Sequence, residues 1–119
     1  MLPTGLYCPD TTQTFRRKTR TIQIGNVKVG SDHPIVKQTM TTSDTRDVDA
    51  TVNEIMRCAD AGAEMVRITV QGMQEAKACQ EIKNKLLQSG YTTPIIADIH
   101  FAPKVAMTVA DCLDKIRVN

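Results

Sequence analysis

The chain has 119 residues, of which 15 are lysine or arginine and 13 are aspartate or glutamate, so its formal net charge is +2. Hydrophobic residues make up 41% and charged residues 24% of the chain, which is typical of a folded globular domain and unlike a disordered protein. No apolar run approaches the roughly 20 residues that a membrane span needs, so we expect no membrane segment.

The chain is predicted to begin with an irregular arm, residues 1–17, and to continue as a partial domain, residues 18–119. Residues 16–20 carry four basic side chains but no aromatic ones and no recognisable binding motif, so we expect a solvated lead-in and not a nucleic-acid site. Residues 21–29 are predicted to form a β-hairpin, because two apolar runs flank the turn-forming pair Gly25-Asn26.

Strands and helices are predicted to alternate after the hairpin. The strands are residues 35–40, 65–70, 94–100 and 115–119, and the helices start near residues 48, 74 and 103. The strand ends recur about every 30 residues, as in βαβ units with a parallel sheet. We therefore predict an α/β fold: the first half of a (β/α)8 TIM barrel, whose full size is about 250 residues. A flavodoxin-like open sheet is the alternative, but it would normally finish with a covering helix, and the ending on a strand suggests truncation.

Cysteines and methionines are expected to be packing residues. The four cysteines are far apart along the chain: Cys8, Cys58, Cys79 and Cys112. Without a CxxC pair they predict neither a zinc site nor a disulfide framework, and we assign no metal ligand. The last three fall on predicted buried helix faces, where cysteine packs as a small apolar residue. Three methionines are likewise expected to fill the core: Met56, Met65 and Met107.

Charged and polar side chains share one face of three predicted strands, because side chains alternate along a strand and the opposite face is apolar. These side chains are Arg67, Asp98, His100, Arg117 and Asn119. Charge within a strand buried on both sides is costly unless it is paired or meets a ligand. In a barrel this face points inward, with ligands at its C-terminal end. We therefore predict a site there, while Arg67–Asp98 and Arg117–Asp98 ion pairs remain the purely structural alternative.

The predicted site has more positive than negative charge. Two arginines and a histidine against one carboxylate suit a phosphate or diphosphate group, and Asp98 is left as a candidate acid/base or hydroxyl partner. The polar loop at residues 41–45 follows the first barrel strand at the same end. It could contact the ligand or act as a lid, but capping of the next helix by Asp44 or Asp47 explains it more simply.

Five segments of the chain carry a family resemblance. In chain order they are RRKTRTIQIGNVKVG, HPIVKQTMTTSDTRDVDATV, GAEMVRITVQG, PIIADIHFAP and DKIRVN. In this order they resemble the N-terminal part of the TIM-barrel domain of the 4-hydroxy-3-methylbut-2-enyl diphosphate synthase family. The sequences of these segments are most similar to the long form of the family, which is found in plastids and in chlamydia-like bacteria.

The resemblance implies an oxidoreductase of the methylerythritol phosphate (MEP) pathway of isoprenoid, or terpenoid, biosynthesis. Its substrate would be 2-C-methyl-D-erythritol 2,4-cyclodiphosphate, a cyclic diphosphate, and its electrons would come from ferredoxin or flavodoxin through a [4Fe-4S] iron-sulfur cluster. The implied full-length protein is a homo-oligomer in the bacterial cytoplasm or, alternatively, the plastid stroma. The family's functional residues correspond here to a catalytic Asp98 and a substrate-binding set: Arg67, His100, Arg117 and Asn119.

One part of the family pattern has no counterpart in the sequence. The resemblance implies that three cysteines and a glutamate of a C-terminal iron–sulfur domain hold the cluster, and that domain is absent from this chain. We therefore expect these 119 residues alone to be inactive and poorly stable, because half a barrel exposes edge strands. Two other hypotheses are a dihydropteroate-synthase-like phosphate- or pterin-binding barrel and a non-catalytic fragment that needs a partner.

Overall fold

The structure is a computed structural model that describes residue 8 and residues 10–118. Residues 1–7, residue 9 and Asn119 lie outside the described residues. The regular elements, in chain order, are β1 (Ile22–Ile24), β2 (Val27–Val29), β3 (Gln38–Met40), α1 (Val48–Asp60), β4 (Met65–Val70), α2 (Met73–Gln88), β5 (Ile95–Ile99), α3 (Pro103–Val109) and β6 (Lys115–Val118).

The strands form two sheets. β1 and β2 make the predicted antiparallel hairpin, and β3, β4, β5 and β6 make a parallel sheet in that consecutive order. Right-handed crossovers between neighbouring parallel strands place the connecting helices on one face of the sheet. In a barrel, strands that follow one another along the chain are also neighbours in the sheet, whereas a flavodoxin-like sheet reverses its strand order at a switch point. The predicted α/β half-barrel with its preceding hairpin is confirmed.

The helix-facing side of the sheet forms the main core. Every second side chain of β4 and β5 belongs to it, because side chains alternate along a strand. These residues are Val66, Ile68, Val70, Ile95, Ala97 and Ile99, all of them buried. Ile55 of α1, Ile82 of α2 and Val109 of α3 are fully buried against them. Burying an aliphatic side chain of this size stabilises the fold by about 1.5–3 kcal/mol.

The start and end of α1 follow from local chemistry. Of the two predicted caps, Asp47 is the N-cap: its carboxylate accepts a hydrogen bond from the Ala50 backbone N–H at 3.1 Å, which satisfies one of the helix's unpaired donors. After the helix, Gly62 adopts a φ of 108°, a left-handed conformation that glycine adopts without steric cost. The chain therefore turns directly into β4.

The hairpin covers the N-terminal end of the other, inner face of the sheet. Ile24 of the hairpin, Met65 of β4 and Ile96 of β5 form a second small core there. The turn lies so close to the sheet that a Cβ on Gly25 would be 3.0 Å from Pro94 Cγ, and Gly25 also has a φ of 57°. Apolar contacts therefore fill the N-terminal end of the inner face and leave its C-terminal end polar.

A partly buried ion pair fixes the start of β5 and β6. Lys83 Nζ of α2 donates to Asp114 Oδ2 at 2.7 Å, and the Ile95 backbone N–H donates to the same oxygen at 2.9 Å. Asp114 directly precedes β6, and Ile95 is the first residue of β5. The carboxylate thus joins two strands and a helix at the N-terminal edge of the sheet.

The basic run before β1 is solvent-exposed, as the sequence predicts, but one of its members is held in place. The Arg16 guanidinium donates to the His33 carbonyl at 2.7 Å and to the Gly30 carbonyl at 3.0 Å. Thr19 and Ser31 exchange further hydrogen bonds beside it. This stretch therefore packs along the exit of the hairpin without forming a helix or strand.

Some predicted boundaries and burial assignments are wrong. The first barrel strand begins at Gln38 and not at residue 35, because only residues 38–40 pair with β4. Met107, expected in the core, is 75% exposed, since it lies two residues, or about 200° of helix rotation, from the buried Val105. Cys112 lies beyond the end of α3 and is only half-buried. Among the described residues, no helix has the length and apolar content needed to cross a membrane.

Candidate functional site

The candidate site lies on the inner face of the sheet, near the C-terminal ends of β4, β5 and β6. The strand register places Asp98 of β5 between Thr69 of β4 and Arg117 of β6. Arg67 shares the face of Thr69, two residues earlier, and His100 directly follows β5. The Asp98 side chain is only 7% exposed, whereas the arginine and histidine side chains around it are all partly open to solvent.

Three cationic or potentially cationic groups surround the Asp98 carboxylate. Arg117 Nη1 donates to Asp98 Oδ1 at 3.1 Å, which is a charge-assisted hydrogen bond. Arg67 Nε lies 3.7 Å from Asp98 Oδ2, close enough for an ion pair but too far for a hydrogen bond. His100 Nε2 lies 3.9 Å from Asp98 Oδ1. The carboxylate thus lies between two guanidinium groups, one at each oxygen.

The Arg67 guanidinium is incompletely satisfied. Its Nη2 donates to the thioether sulfur of Met40 at 3.5 Å, a weak acceptor. Its Nε is buried and has no hydrogen-bond partner among the described residues. A buried donor without a partner costs roughly 1–3 kcal/mol, more for a charged group. The Arg67 side chain as a whole is partly exposed, and its Nη groups make no hydrogen bond to the described residues other than the one to Met40, so an anion could contact them.

The predicted convergence of site residues is observed for four of the five. Arg67, Asp98, His100 and Arg117 lie together, and the fifth, Asn119, is outside the described residues. Both ion pairs of the purely structural alternative, Arg67–Asp98 and Arg117–Asp98, are present in this cluster. Two guanidiniums against one carboxylate leave the cluster with net positive charge, as anion binding requires.

The loop between β3 and α1 is held mainly by its own protein contacts. Glu54 of α1 accepts hydrogen bonds from the backbone N–H groups of Thr42 and Ser43 at 2.8 and 3.0 Å, and from the Thr42 hydroxyl at 3.0 Å. Partial burial raises the pKa of Glu54, but these hydrogen bonds outweigh it and leave the pKa below its usual range. With Asp47 capping α1, the loop's polar residues serve the helix, which favours the simpler of the two interpretations.

The predicted set of site residues leaves out Thr69 and includes Thr45 only as part of the polar loop at residues 41–45. The Thr45 hydroxyl, fully buried, donates to the Thr69 carbonyl at 2.6 Å, and the two hydroxyl oxygens are 3.5 Å apart. Strand alternation already places Thr69 on the face of Arg67, so this signal was available in the sequence. Nothing in the sequence pattern indicates the contact from Thr45, which crosses from one loop to another strand.

The described residues do not fit an iron–sulfur cluster. Among them, no group of three or more His, Cys, Asp or Glu side chains is arranged to hold a metal ion. Cys79 is buried, and burial is the largest of the causes that raise the pKa of its thiol to about 12, whereas a metal ligand must be a thiolate. No chemical step is therefore assigned to a cluster held by these residues.

Consecutive parallel strands, helices on one face and charged side chains at the C-terminal end of the other face define a domain of the (β/α)-barrel class. The model of one family, described as the GcpE TIM-barrel domain, matches residues 19–119. The chain belongs to this family.

Curated relatives extend the comparison. The chain is 63% identical over 119 residues to a 4-hydroxy-3-methylbut-2-en-1-yl diphosphate synthase (ferredoxin), chloroplastic, of Oryza sativa, and 61% identical to the Arabidopsis thaliana protein of the same name. It is 54% identical over 113 residues to the flavodoxin-type synthase of Protochlamydia amoebophila. These matches cover 95–100% of this chain but only 16–17% of the relatives, so the chain spans about a sixth of their length.

Proposed function

We propose that the chain is the N-terminal, substrate-binding part of an oxidoreductase that converts 2-C-methyl-D-erythritol 2,4-cyclodiphosphate to 4-hydroxy-3-methylbut-2-enyl diphosphate. Residues 18–119 contribute the hairpin and the first four strands of its barrel domain. The names of the relatives support this reaction, and the family supports the barrel. No observation favours the pterin-binding alternative, since the three relatives described above all carry the name of the synthase.

The observation that carries the proposal is the pair of arginines on either side of the buried Asp98. Apart from the contacts of Arg67 and Arg117 described above, most N–H donors of both guanidiniums have no protein partner among the described residues. Guanidinium groups bind phosphate oxygens through parallel hydrogen bonds, and a cyclic diphosphate offers two phosphates to two such groups. His100, partly exposed beside them, is proposed as a further substrate contact together with Asn119.

Asp98 is best explained as the group that orients the two arginines. Each of its carboxylate oxygens faces a guanidinium, and the side chain is almost fully buried. A carboxylate in this position keeps two like charges close together and limits their rotation before the substrate arrives. The acid/base role predicted for Asp98 remains a prediction, and the two roles differ in the kinetic constant that they affect.

We propose that the redox part of the reaction depends on residues outside 18–119. The relatives' names support ferredoxin or flavodoxin as the electron donor. A [4Fe-4S] cluster would supply one-electron transfer, and we place its ligands outside these residues. The relatives' designations, chloroplastic for the plant proteins, are compatible with the plastid stroma or the bacterial cytoplasm as the location.

The experiment uses the complete gene product with cyclodiphosphate and reduced ferredoxin or flavodoxin. Arg67→Met and Arg117→Met remove a cation each and are expected to lower kcat/KM at least about 10-fold, the effect of losing one charge-assisted contact of roughly 1.5–3 kcal/mol. Arg57→Met, which changes an exposed arginine on α1, is the matched control and should behave as the wild type. Wild-type kinetics in both site variants would contradict the proposal.

The same assay separates the two roles of Asp98. Asp98→Asn keeps the shape of the side chain and removes its charge. If Asp98 orients the arginines, KM rises and kcat changes little. If it transfers a proton, kcat falls at unchanged KM.

A further inference from the structure

We propose that Thr69 is a further ligand-contacting residue, a neutral hydrogen-bond donor beside the charged cluster. The inference rests on the proposed function, because it assigns one more contact to the same anion. Thr69 lies on the inner face of β4, directly paired with Asp98 of β5, which is in turn paired with Arg117 of β6. The three residues form a row across the sheet, in which neighbouring strands lie about 4.8 Å apart.

The backbone of Thr69 is fixed by an unusual partner. Just past the end of β3, the Thr41 backbone N–H donates a hydrogen bond to the Arg67 carbonyl at 2.9 Å. No further residue of β3 follows that could donate to the Thr69 carbonyl. The Thr45 hydroxyl takes that place and donates to it at 2.6 Å. A side chain thus extends the hydrogen-bond ladder by one rung, which holds the end of β4 beside Asp98.

Among the described residues, none accepts the hydroxyl proton of Thr69 at the usual length of an O–H···O bond. A threonine hydroxyl has one proton, and that of Thr45 is committed to the Thr69 carbonyl. In the remaining contact between the two hydroxyl oxygens, only Thr69 could donate, and 3.5 Å is beyond the usual length of an O–H···O bond. The Thr69 side chain is only partly buried, so its proton can reach a ligand on the inner face.

The position favours a phosphate oxygen as the acceptor. An anion over the row would meet Arg117 and Arg67 around Asp98, and Thr69 at the other end of the row. A hydroxyl adds a directional contact without adding charge, so it orients the ligand more than it attracts it. Asp98 does not compete for the proton in the described structure, since its oxygens face the two arginines.

The test measures binding of inorganic diphosphate to the complete gene product by calorimetry. Thr69→Val removes the hydroxyl but keeps the branched shape and the carbonyl that Thr45 bonds. We expect the dissociation constant to rise about 2- to 13-fold, the equivalent of one neutral hydrogen bond. Thr69→Ala should show the same loss, and Thr69→Ser should restore most of the affinity. Thr39→Val makes the same chemical change on the helix-facing side of β3 and is the matched control.

Two different failures can be told apart. Unchanged affinity in both Thr69→Val and Thr69→Ala, with weakened binding in Arg117→Met, would overturn the role of Thr69 and leave the proposed function standing. Absence of diphosphate binding by the wild-type protein would overturn both. A loss in Thr69→Val that Thr69→Ser does not restore would also overturn the inference, because the hydroxyl would then not be the contact.

Discussion

Two ion pairs with the same Nζ–Oδ distance are expected to contribute very differently to the free energy of unfolding. Lys83–Asp114 and Lys85–Asp49 both have an Nζ–Oδ distance of 2.7 Å. The Asp114 side chain is 19% exposed, and that of Asp49 is 80% exposed. Since water screens an exposed pair and the protein interior does not, we expect Asp114→Ala to lower the free energy of unfolding far more than Asp49→Ala.

The magnitude for Asp114 follows from its two contacts. The substitution removes the acceptor of the Lys83 ammonium and that of the Ile95 backbone N–H, and each hydrogen bond to a charged group contributes about 1.5–3 kcal/mol. Breaking a buried pair typically costs about 3–5 kcal/mol. We therefore expect a loss near the lower end of that range, about 3 kcal/mol, because Lys83 keeps some access to water.

The assay is urea unfolding followed by circular dichroism, with the two alanine variants measured against the wild type. Asp49→Ala is expected to leave the midpoint close to the wild-type value. Asp114→Ala should shift the midpoint strongly without changing the slope of the transition. Equal shifts in the two variants would refute the reasoning that burial, and not distance, sets the strength of these pairs.

Two further predictions concern the loop between β3 and α1. Thr45→Val leaves the Thr69 carbonyl without its donor and should lower the free energy of unfolding by about 1–3 kcal/mol in the same assay, whereas Thr45→Ser should restore it. Glu54→Gln tests the lowered pKa of Glu54. A lowered folded-state pKa adds stability above the unfolded value of about 4.3 that is lost as the pH falls through the folded value. The wild type should therefore be more stable than Glu54→Gln at neutral pH, and the difference should vanish in acid. A difference that persists unchanged at low pH would contradict the role of the Glu54 charge.

The positions of the site residues on the central strands were predictable, because the alternation of side chains between the two faces of these strands is clear in the sequence. In strands β4 and β5 the side chains alternate between two faces, and this alternation in the sequence is enough to place Arg67 and Asp98 on the same face. The same rule works for Arg117, on β6. Burial of the other face against the helices is what makes the alternation strict, since a shift of one residue would place the charges among the apolar side chains of the main core.

Features without a burial constraint were less predictable. β3 lies at the edge of the described sheet, with a partner on one side only, so its length depends on pairing and not on its sequence pattern. Met107 is apolar but lies on the outer side of a two-turn helix, where hydrophobicity alone gives the wrong answer. The contact from Thr45 to Thr69 joins residues 24 apart in sequence, and no local pattern records it.

The binding of cyclodiphosphate by the two arginines can be tested with a structure of the complete gene product in complex with this substrate. We expect phosphate oxygens within hydrogen-bond distance of the Arg67 and Arg117 guanidiniums, with Asp98 still between them. Phosphates bound on another face of the barrel, with both guanidiniums still directed only at Asp98, would contradict it.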